Sequence, residues 1–419
     1  MRFCLLFFCL LSALGSALES QIHPLKSASD LSFIDEFFND EPLILLGESS
    51  HGTSEYYLMR AKITKQLIKQ GSISFVAVEG DWAPIAHLNR YVLAKTDSSA
   101  REIMQNFDRW PTWLWANEEF LLFVEWLREY NDSVTPEQRV GLYGIDVYGQ
   151  WQAMDELKSY ISQNFADELP SLVSHLSCFG SFDRDEQLYA AAVARRGASC
   201  QSSVESVVQL LVELDDGSLE HFSALQNARA IKGSERFFRL SVRRGPAAWN
   251  SRAEDFFNNV MHIKNFYGEG SRAVVWAHNT HVGDSRATSM AQQRQINIGS
   301  LARQFLGADN VRILGFSTAQ GTVVAGRDWG GSYQVMDIPS PQPGSLESYF
   351  ADQELAAFFV NLSAEFAPES LLASSIPHRA IGVLYRPENE RGNYVATVTT
   401  QRYDGMVFLK STEALEPIN

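Results

Sequence analysis

The sequence predicts an α/β protein of three layers, α/β/α, with a mostly parallel central sheet and a largely helical insertion that covers the crevice at its edge. Short aliphatic runs recur along the chain, and each gives way to a polar residue, as buried parallel strands do where they emerge. A helical pattern separates the first two runs, which is the β-α-β order of a parallel pair. From about residue 150 to residue 264 the apolar spacing is helical, with few strand signals.

Residues 1–17 have the composition of a secretory signal peptide. Arg2 gives a positive start, an apolar run covers residues 3–14, and small residues follow, so we expect cleavage after Ala17. The apolar run is shorter than the roughly 20 residues that a membrane-spanning helix needs, and no later segment is long enough. We therefore expect a secreted or periplasmic protein with no membrane partner once the signal peptide is removed.

The composition favours a globular protein with a small-molecule ligand. The chain has 419 residues, of which 45% are hydrophobic, so it can bury a substantial core. Its formal net charge of −15 disfavours a nucleic-acid partner, because phosphate backbones are bound by clusters of lysine and arginine.

Two cysteines remain once the signal peptide is removed, Cys178 and Cys200. An oxidising compartment permits them to pair, so we expect a disulfide, with two free thiols as the alternative. Both states stay open at this point, because the sequence does not supply the Cα separation that a disulfide requires.

Five aliphatic runs are the candidates for the central strands. They cover residues 43–46, 75–78, 140–145, 273–277 and 311–316. The helix between the first two carries its apolar residues on one face and is preceded by the cap-type residues Thr53 and Ser54. Later in the chain we expect a helical stretch around residues 355–359 and strands at residues 380–384 and 405–409.

Polar side chains follow the first four of these runs. They are Glu48, Glu79, Asp146 and His278. Open α/β sheets bind ligands outside the carboxyl ends of their strands. We therefore expect these four side chains to meet in one crevice, where Asp146 and His278 are assigned to substrate binding.

The sharpest local pattern is Gly-Glu-Ser-Ser-His-Gly at residues 47–52, which follows a strand and opens a helix. The helix dipole disfavours a protonated histidine near the helix N-terminus, so His51 is a candidate general base, with Glu48 orienting its ring. An ordinary acidic loop with a histidine explains the spacing equally well. Ser49 and Ser50 do not form the G-x-S-x-G elbow of a serine hydrolase, so a serine nucleophile ranks below both.

A second pattern, Trp-Ala-His-Asn-Thr-His-Val-Gly, covers residues 276–283 and also follows a strand. Two histidines three residues apart can bind a metal or share proton transfer, and a structural role is favoured for His278 more than for His281. The side chains that offer metal ligands are Glu48, His51, Glu79 and His281. The His-Glu-x-x-His pattern of zinc helices is missing, and we expect no metal cofactor.

Three further assignments are weighed against structural roles. Glu79 adds a second carboxylate to the crevice, and buried carboxylates rarely lack partners, which favours a functional role. Arg60 lies in the helix that follows His51, where an exposed solubilising arginine is the usual case. Trp110 and Trp113 belong to a tryptophan-rich segment that can line a pocket for a bulky apolar ligand, and core packing is at least as well supported.

Together these patterns resemble the erythromycin esterase family, which hydrolyses the macrolide lactone ring. The resemblance covers residues 43–409 and implies one erythromycin esterase-like domain over residues 18–419, in which residues 150–264 form a helical subdomain. The motifs are G-E-S-S-H-G-T-S-E (47–55), V-A-V-E-G-D-W (76–82), N-E-E-F (117–120), Y-G-I-D (143–146), N-S-R-A-E-D (250–255), W-A-H-N-T-H-V-G (276–283), P-G-S-L-E (343–347) and Y-D-G-M-V-F-L (403–409).

Carried over by motif position, the resemblance implies that His51 is the catalytic base, with an acidic residue beside it. The implied catalytic set is Glu48, His51, Arg60, Glu79 and His281. Arg252 matches a positively charged position of the family site, and we assign it to substrate binding. The assigned substrate-binding set is Trp110, Trp113, Asp146, Arg252 and His278. The family's chemistry implies no metal and no other cofactor.

The leading hypothesis is a hydrolase in which neutral His51 takes a proton from the water that attacks an ester or lactone carbonyl. Arg60 or His281 then stabilises the oxyanion. One alternative is a metal-dependent hydrolase with the same cluster, and another is a non-catalytic periplasmic protein that binds a hydrophobic ligand. Binding alone does not need this combination of acidic and histidine side chains, which weighs against the last. The natural substrate and the oligomeric state stay open.

Overall fold

The computed structural model describes residues 21–25, 31–71, 73–197, 199–364, 366–367 and 369–418. The signal peptide predicted at residues 1–17 lies outside the described residues. The described strands are β1 (Ile22–Pro24), β2 (Leu43–Leu46), β3 (Phe75–Asp81), β4 (Gly141–Asp146), β5 (Ala273–Trp276), β6 (Val311–Gly326), β7 (Tyr333–Ile338), β8 (Ala357–Asn361), β9 (Ser375–Arg379), β10 (Tyr394–Val398) and β11 (Gly405–Thr412).

Helices connect most of these strands. Those described are α1 (Ile34–Phe37), α2 (Ser54–Lys69), α3 (Trp82–Val92), α4 (Ala100–Gln105), α5 (Glu118–Ser133), α6 (Gln150–Asn164), α7 (Leu169–Leu176), α8 (Glu186–Arg196), α9 (Gln201–Glu213), α10 (Leu219–Ser241), α11 (Ala247–Tyr267), α12 (Asn279–Val282), α13 (Ile298–Leu306), α14 (Leu346–Ala351) and α15 (Thr399–Arg402). None of the described helices is long and apolar enough to cross a bilayer.

The centre of the described structure is a nine-stranded sheet in the order β1-β8-β11-β6-β2-β5-β3-β4, with β7 paired to β6. From β11 to β4 every neighbouring pair in this order is parallel. The strands β1, β8 and β7 join antiparallel and make the sheet mixed. Strands β9 and β10 form a separate two-stranded sheet. The predicted α/β class with a mostly parallel sheet is confirmed.

The aliphatic runs are buried on both faces of the sheet, which explains why they do not alternate with polar residues. Along β2, Leu43 and Leu45 enter one hydrophobic cluster, whereas Ile44 and Leu46 enter another. Because successive side chains of a strand point to opposite faces, the two clusters are the two cores that helices cover. The three-layer arrangement follows from this double burial.

Two predictions in the last quarter of the chain are wrong. Residues 355–359 are not a helix, since most of them belong to β8, which lies between β1 and β11 with its aromatic side chains buried. A short apolar run fits a buried helix and a buried strand equally, so its place in the sheet decided the outcome. Residues 380–384 are not a strand, because in the described chain this segment makes only isolated bridges. The strand predicted at residues 405–409 is part of β11.

Between β4 and β5 the described chain contains helices and short turns, from α6 to α11. A disulfide joins Cys178, in the turn after α7, to Cys200, which directly precedes α9. Helix α11 returns to the sheet, where its Arg252 bonds to Asp146 at the end of β4. This helical region therefore delivers one of the assigned residues to the crevice.

Candidate active site

The register of the parallel strands aligns three strand ends at one edge of the sheet. Leu46 of β2 and Val78 of β3 both lie beside Trp276 of β5. The acidic and histidine side chains just beyond these positions are Glu48, Glu79 and His278. The sheet therefore places them in one crevice, although they are far apart in the sequence.

Glu48 lies between a histidine and an arginine. Its Oε1 is 2.8 Å from His51 Nδ1, and its Oε2 is 2.5 Å from Arg60 Nη2. The Arg60 side chain is 0% exposed and its guanidinium lies over the rings of Tyr57 and Trp276. The predicted contact of Arg60 with a substrate oxyanion does not fit this position, because Arg60 lies in the core beneath Glu48.

The loop between β2 and α2 is held tightly. A Cβ on Gly52 would lie 1.9 Å from the carbonyl oxygen of Val324, so only glycine fits there. Ser49 Oγ lies 2.7 Å from Tyr56 Oη, and Ser50 Oγ contacts the hydroxyl of the residue before α2. Both serine hydroxyls are thus engaged within this turn.

The site around His51 favours its protonated imidazole. Burial alone would lower the pKa of His51, but the hydrogen bond to Glu48 and the negative charge of Glu79 outweigh burial and raise it above the ordinary value. The pKa thus moves opposite to the direction that the helix dipole alone would give. The cause is two carboxylates, Glu48 just beyond β2 and Glu79 in β3.

Glu79 joins three groups at the centre of the crevice. Its Oε2 accepts a 2.9 Å hydrogen bond from the backbone N–H of His278, and its Oε1 lies 3.1 Å from Arg252 Nη2 and 3.2 Å from His281 Nε2. Burial would raise the pKa of Glu79. His281 and the other positive groups around it outweigh burial and hold that pKa well below its ordinary value.

His278 caps the N-terminus of α12. Its Nδ1 accepts a 3.2 Å hydrogen bond from the backbone N–H of Thr280, and burial with the neighbouring His51 holds the pKa of His278 well below its ordinary value. A neutral ring with this acceptor carries its proton on Nε2. That Nε2 is buried without a hydrogen bond to the described residues, and the rings of His278 and His51 lie 4.8 Å apart. The interactions that favour a proton on this ring come from Glu79 and from the backbone of Ser49.

Arg252 forms a double ion pair with Asp146. Its Nε lies 2.9 Å from Asp146 Oδ1 and its Nη2 lies 2.6 Å from Oδ2. The guanidiniums of Arg252 and Arg109 lie 4.6 Å and 5.2 Å from the centre of the Tyr148 ring. Arg109 also pairs with Asp81, with its Nη2 3.1 Å from Oδ1. Charged pairs and one aromatic ring thus form a continuous wall.

Three residues of this wall escaped the sequence-based assignment: Asp81, Arg109 and Tyr148. Asp81 lies two residues after Glu79 in β3, but the register of β3 shifts between Val78 and Asp81, so simple alternation does not place both side chains on one face. Tyr148 lies two residues beyond the end of β4, and Arg109 adjoins Trp110 in the sequence. The motif V-A-V-E-G-D-W at residues 76–82 contains Asp81 and could have found it, whereas Arg109 required the tertiary structure.

A cavity of about 950 Å³ adjoins this wall and shares Tyr148 with it. Its aromatic lining is Trp110, Tyr148, Trp151, Phe237, Phe238 and Trp329. The rings of Trp110 and Trp329 lie 4.7 Å apart. Trp113 is only 2% exposed in the hydrophobic core and does not line this cavity. Trp110 therefore fits the assigned pocket, and Trp113 fits core packing instead.

In the part of the chain that the structure describes, no group of three or more His, Cys, Asp or Glu side chains is arranged to hold a metal ion. The carboxylates of the crevice lie against arginines, as in the pairs of Glu48 with Arg60 and Asp146 with Arg252. Each of these carboxylates is therefore already paired with a cation. The absence of a cofactor stays a prediction.

The model of the erythromycin esterase family matches residues 68–412, which is well over half of the chain. The chain belongs to the erythromycin esterase family. The matched range includes the assigned residues Glu79, Trp110, Trp113, Asp146, Arg252, His278 and His281. It begins after Glu48, His51 and Arg60, so the placement of these three in the site rests on the geometry described above.

This erythromycin esterase family member has distant relatives in sequence. Erythromycin esterase type II from Escherichia coli is 25% identical over 126 residues, which span 30% of this chain and 28% of that enzyme. The match therefore covers less than a third of the relative's length.

Solved structures share the fold at low identity. A succinoglycan biosynthesis protein and a protein from Bacillus cereus each match with a TM-score of 0.81 and 19% identity, covering 97% of this chain and 98% of theirs. A mutant of the erythromycin esterase EreC in its open conformation matches with a TM-score of 0.67 and 14% identity, covering 92% of this chain and 94% of its own. At these identities the likeness concerns the fold alone.

Proposed function

We propose that this family member hydrolyses an ester or lactone with a water molecule that His51 activates. The observation that carries the proposal is the 2.8 Å contact between His51 Nδ1 and Glu48 Oε1. Because Nδ1 faces a carboxylate, it carries a proton, and Nε2 of the neutral ring is left as the basic atom. A histidine oriented by a carboxylate in this way is a common form of general base.

The proposed reaction proceeds without a covalent intermediate. His51 Nε2 takes a proton from water while the water oxygen attacks the carbonyl carbon, and the carbonyl oxygen takes up the negative charge. The Nε2–H of His278 and the guanidinium of Arg252 are the donors that we assign to this oxyanion. The intermediate then expels the alcohol oxygen, which receives the proton from His51.

Glu79 supports this arrangement in the proposed mechanism. It accepts the backbone N–H of His278 and lies against Arg252 and His281, so it fixes the groups that face the reacting carbonyl. Its ionised form also favours the imidazolium that His51 becomes during proton transfer. The carboxylate thus stabilises the positive charge that the imidazole acquires when it takes the proton.

The substrate that we propose is a bulky ester, with a macrolide lactone as the first candidate. The aromatic cavity of about 950 Å³ beside the crevice supports a large apolar ligand. The name of the Escherichia coli relative, erythromycin esterase type II, supports a macrolide. We also propose a secreted or periplasmic location, because the first residues resemble a signal peptide and disulfides persist in oxidising compartments.

The proposal is tested by hydrolysis of erythromycin and of p-nitrophenyl acetate by purified protein, with and without a chelator. His51→Asn is compared with His87→Asn, because His87 also contacts a glutamate, Glu156, at 2.9 Å but lies at the surface. We expect chelator-resistant hydrolysis that His51→Asn lowers by at least about 10²-fold and His87→Asn leaves unchanged. Activity lost with the chelator would favour a metal-dependent hydrolase, and no turnover of either ester would favour ligand binding without catalysis.

A further inference from the structure

A further histidine–glutamate pair lies behind the crevice, and the proposed reaction does not use it. His378 Nδ1 is 2.6 Å from Glu347 Oε1, and both residues are 0% exposed. Neither side chain can reach a ligand. A fully buried ionisable pair costs free energy to desolvate, so its presence calls for a specific role.

Glu347 fixes the tautomer of His378. Burial lowers the pKa of His378 below its ordinary value even though Glu347 opposes this, so the ring is neutral. Glu347 Oε1 also accepts hydrogen bonds from Ser317 Oγ at 2.9 Å and from the backbone N–H of Arg379 at 3.0 Å. With its Nδ1 proton directed at this carboxylate, His378 presents Nε2 as an acceptor.

The acceptor faces the side chain of Asn279, the first residue of α12. Asn279 Nδ2 lies 3.4 Å from His378 Nε2 and donates a 2.7 Å hydrogen bond to the carbonyl oxygen of Phe316. Its Oδ1 fills the space beside Gly47, where a Cβ would lie only 2.0 Å away. The side-chain amide of Asn279 is therefore held by three neighbours, and only one orientation of the amide directs its NH2 group at both acceptors.

The backbone of Asn279 holds the proposed catalytic groups. Its N–H donates a 2.8 Å hydrogen bond to the carbonyl oxygen of Glu48, and its carbonyl oxygen accepts a 2.9 Å bond from Arg402 Nη2. His278 precedes Asn279 directly and His281 follows within the same short helix. A rotation of this one residue would displace groups on both sides of the crevice.

We infer that Asn279, locked by the buried Glu347–His378 pair, is the positioning element that sets Glu48, His278 and His281 relative to one another. The catalytic consequence rests on the proposed function. The geometric consequence does not, because the ring environments of the crevice histidines change when Asn279 is released. The two consequences can be measured separately.

The test compares Glu347→Gln with Glu41→Gln. Glu41 is 5% exposed and pairs with Arg312 just before β2, at the opposite edge of the sheet, so the same chemical change is made at a buried ion pair away from the crevice. In Glu347→Gln the tautomer of His378 is no longer fixed. We expect kcat for p-nitrophenyl acetate to fall roughly 10- to 100-fold with KM changed less than about twofold, whereas Glu41→Gln leaves both constants unchanged.

The second measurement is the NMR spectrum of protein labelled with ¹⁵N-histidine. We expect the ring signals of His51, His278 and His281 to shift in Glu347→Gln and to stay in place in Glu41→Gln. Asn279→Ala, which leaves the Glu347–His378 pair intact, should reproduce both effects and serves if Glu347→Gln does not fold. Unchanged ring signals and kcat in these variants would overturn the inference. If the wild-type protein hydrolyses no ester, the proposed function fails and the ring signals alone decide the inference.

Discussion

Two of the buried histidine–glutamate pairs, His51–Glu48 and His378–Glu347, have the same chemistry and opposite electrostatics. His51 lies 2.8 Å from Glu48 and His378 lies 2.6 Å from Glu347. The pKa of His51 is raised, because Glu48 and the nearby Glu79 outweigh burial. The pKa of His378 is lowered, because burial and the nearby Arg402 and Arg379 outweigh Glu347. Neighbours beyond the pair thus decide whether it can exchange a proton.

Exposure separates the two pairs as well. The side chain of His51 is 9% exposed at the crevice, whereas that of His378 is 1% exposed. A base must meet water, and a positioning group must not. The difference in exposure supports the two roles proposed above, proton transfer for His51–Glu48 and orientation for His378–Glu347.

The largest effect should distinguish the two histidines directly. His51→Gln should lower kcat for a cleaved ester by about 10²- to 10⁴-fold while leaving the thermal midpoint nearly unchanged, because it removes the proposed base. His378→Gln should lower the thermal midpoint and cost far less in kcat. Steady-state kinetics and differential scanning calorimetry measure both; equal losses of kcat in the two variants would contradict the division of roles.

The next effect concerns the cation beneath Glu48. Arg60→Met should lower the free energy of unfolding by about 3–5 kcal/mol, because it leaves a buried carboxylate without its partner. Arg101→Met is the control, since Arg101 pairs with Glu118 at the surface and its loss should lower the free energy of unfolding far less than the loss of Arg60. Urea unfolding followed by circular dichroism gives both values. Similar losses of unfolding free energy in the two variants would show that burial of the Arg60–Glu48 pair does not affect its contribution to stability.

The pH dependence tests the raised pKa of His51. A base must be deprotonated, so kcat/KM should rise with pH through an acid limb that lies above the ordinary histidine pKa. Glu79→Gln removes a negative charge that favours the imidazolium and should move this limb to lower pH. Rate profiles of both proteins make the measurement. A limb at the ordinary histidine value in the wild-type protein would mean that burial dominates at His51.

The smallest effect concerns the cavity wall, away from both pairs. Trp329→Ala should raise KM for a macrolide about 2- to 10-fold and leave hydrolysis of p-nitrophenyl acetate unchanged, because only a large ligand reaches this ring. Trp329 is 61% exposed, and Phe305, which is 65% exposed and does not line the cavity, provides the control variant Phe305→Ala. An equal change in KM for both esters would place the macrolide elsewhere.

Much of the fold could be predicted from the sequence, because an aliphatic run that ends in a polar residue is typical of a buried parallel strand. Residues 43–46, 75–78 and 273–277 predicted β2, β3 and β5 within a few residues. The helix predicted at residues 355–359 is wrong, because the periodicity of a short apolar run does not distinguish a buried strand from a buried helix. Trp113 shows the same limit for side chains, since its residue type suits a pocket and a core equally.

By itself, the sequence determined which residues follow the strand ends, and hence that Glu48, Glu79 and His278 meet at one edge. Only the tertiary structure decided which groups contact each of them and how those contacts change the pKa values in the site. Arg60 lies beneath Glu48 rather than in the crevice, and His51 gains affinity for a proton from a carboxylate on another strand. The physical reason is that the positions of strands along the chain follow from local patterns, whereas electrostatic interactions depend on distances between segments that the sequence leaves far apart.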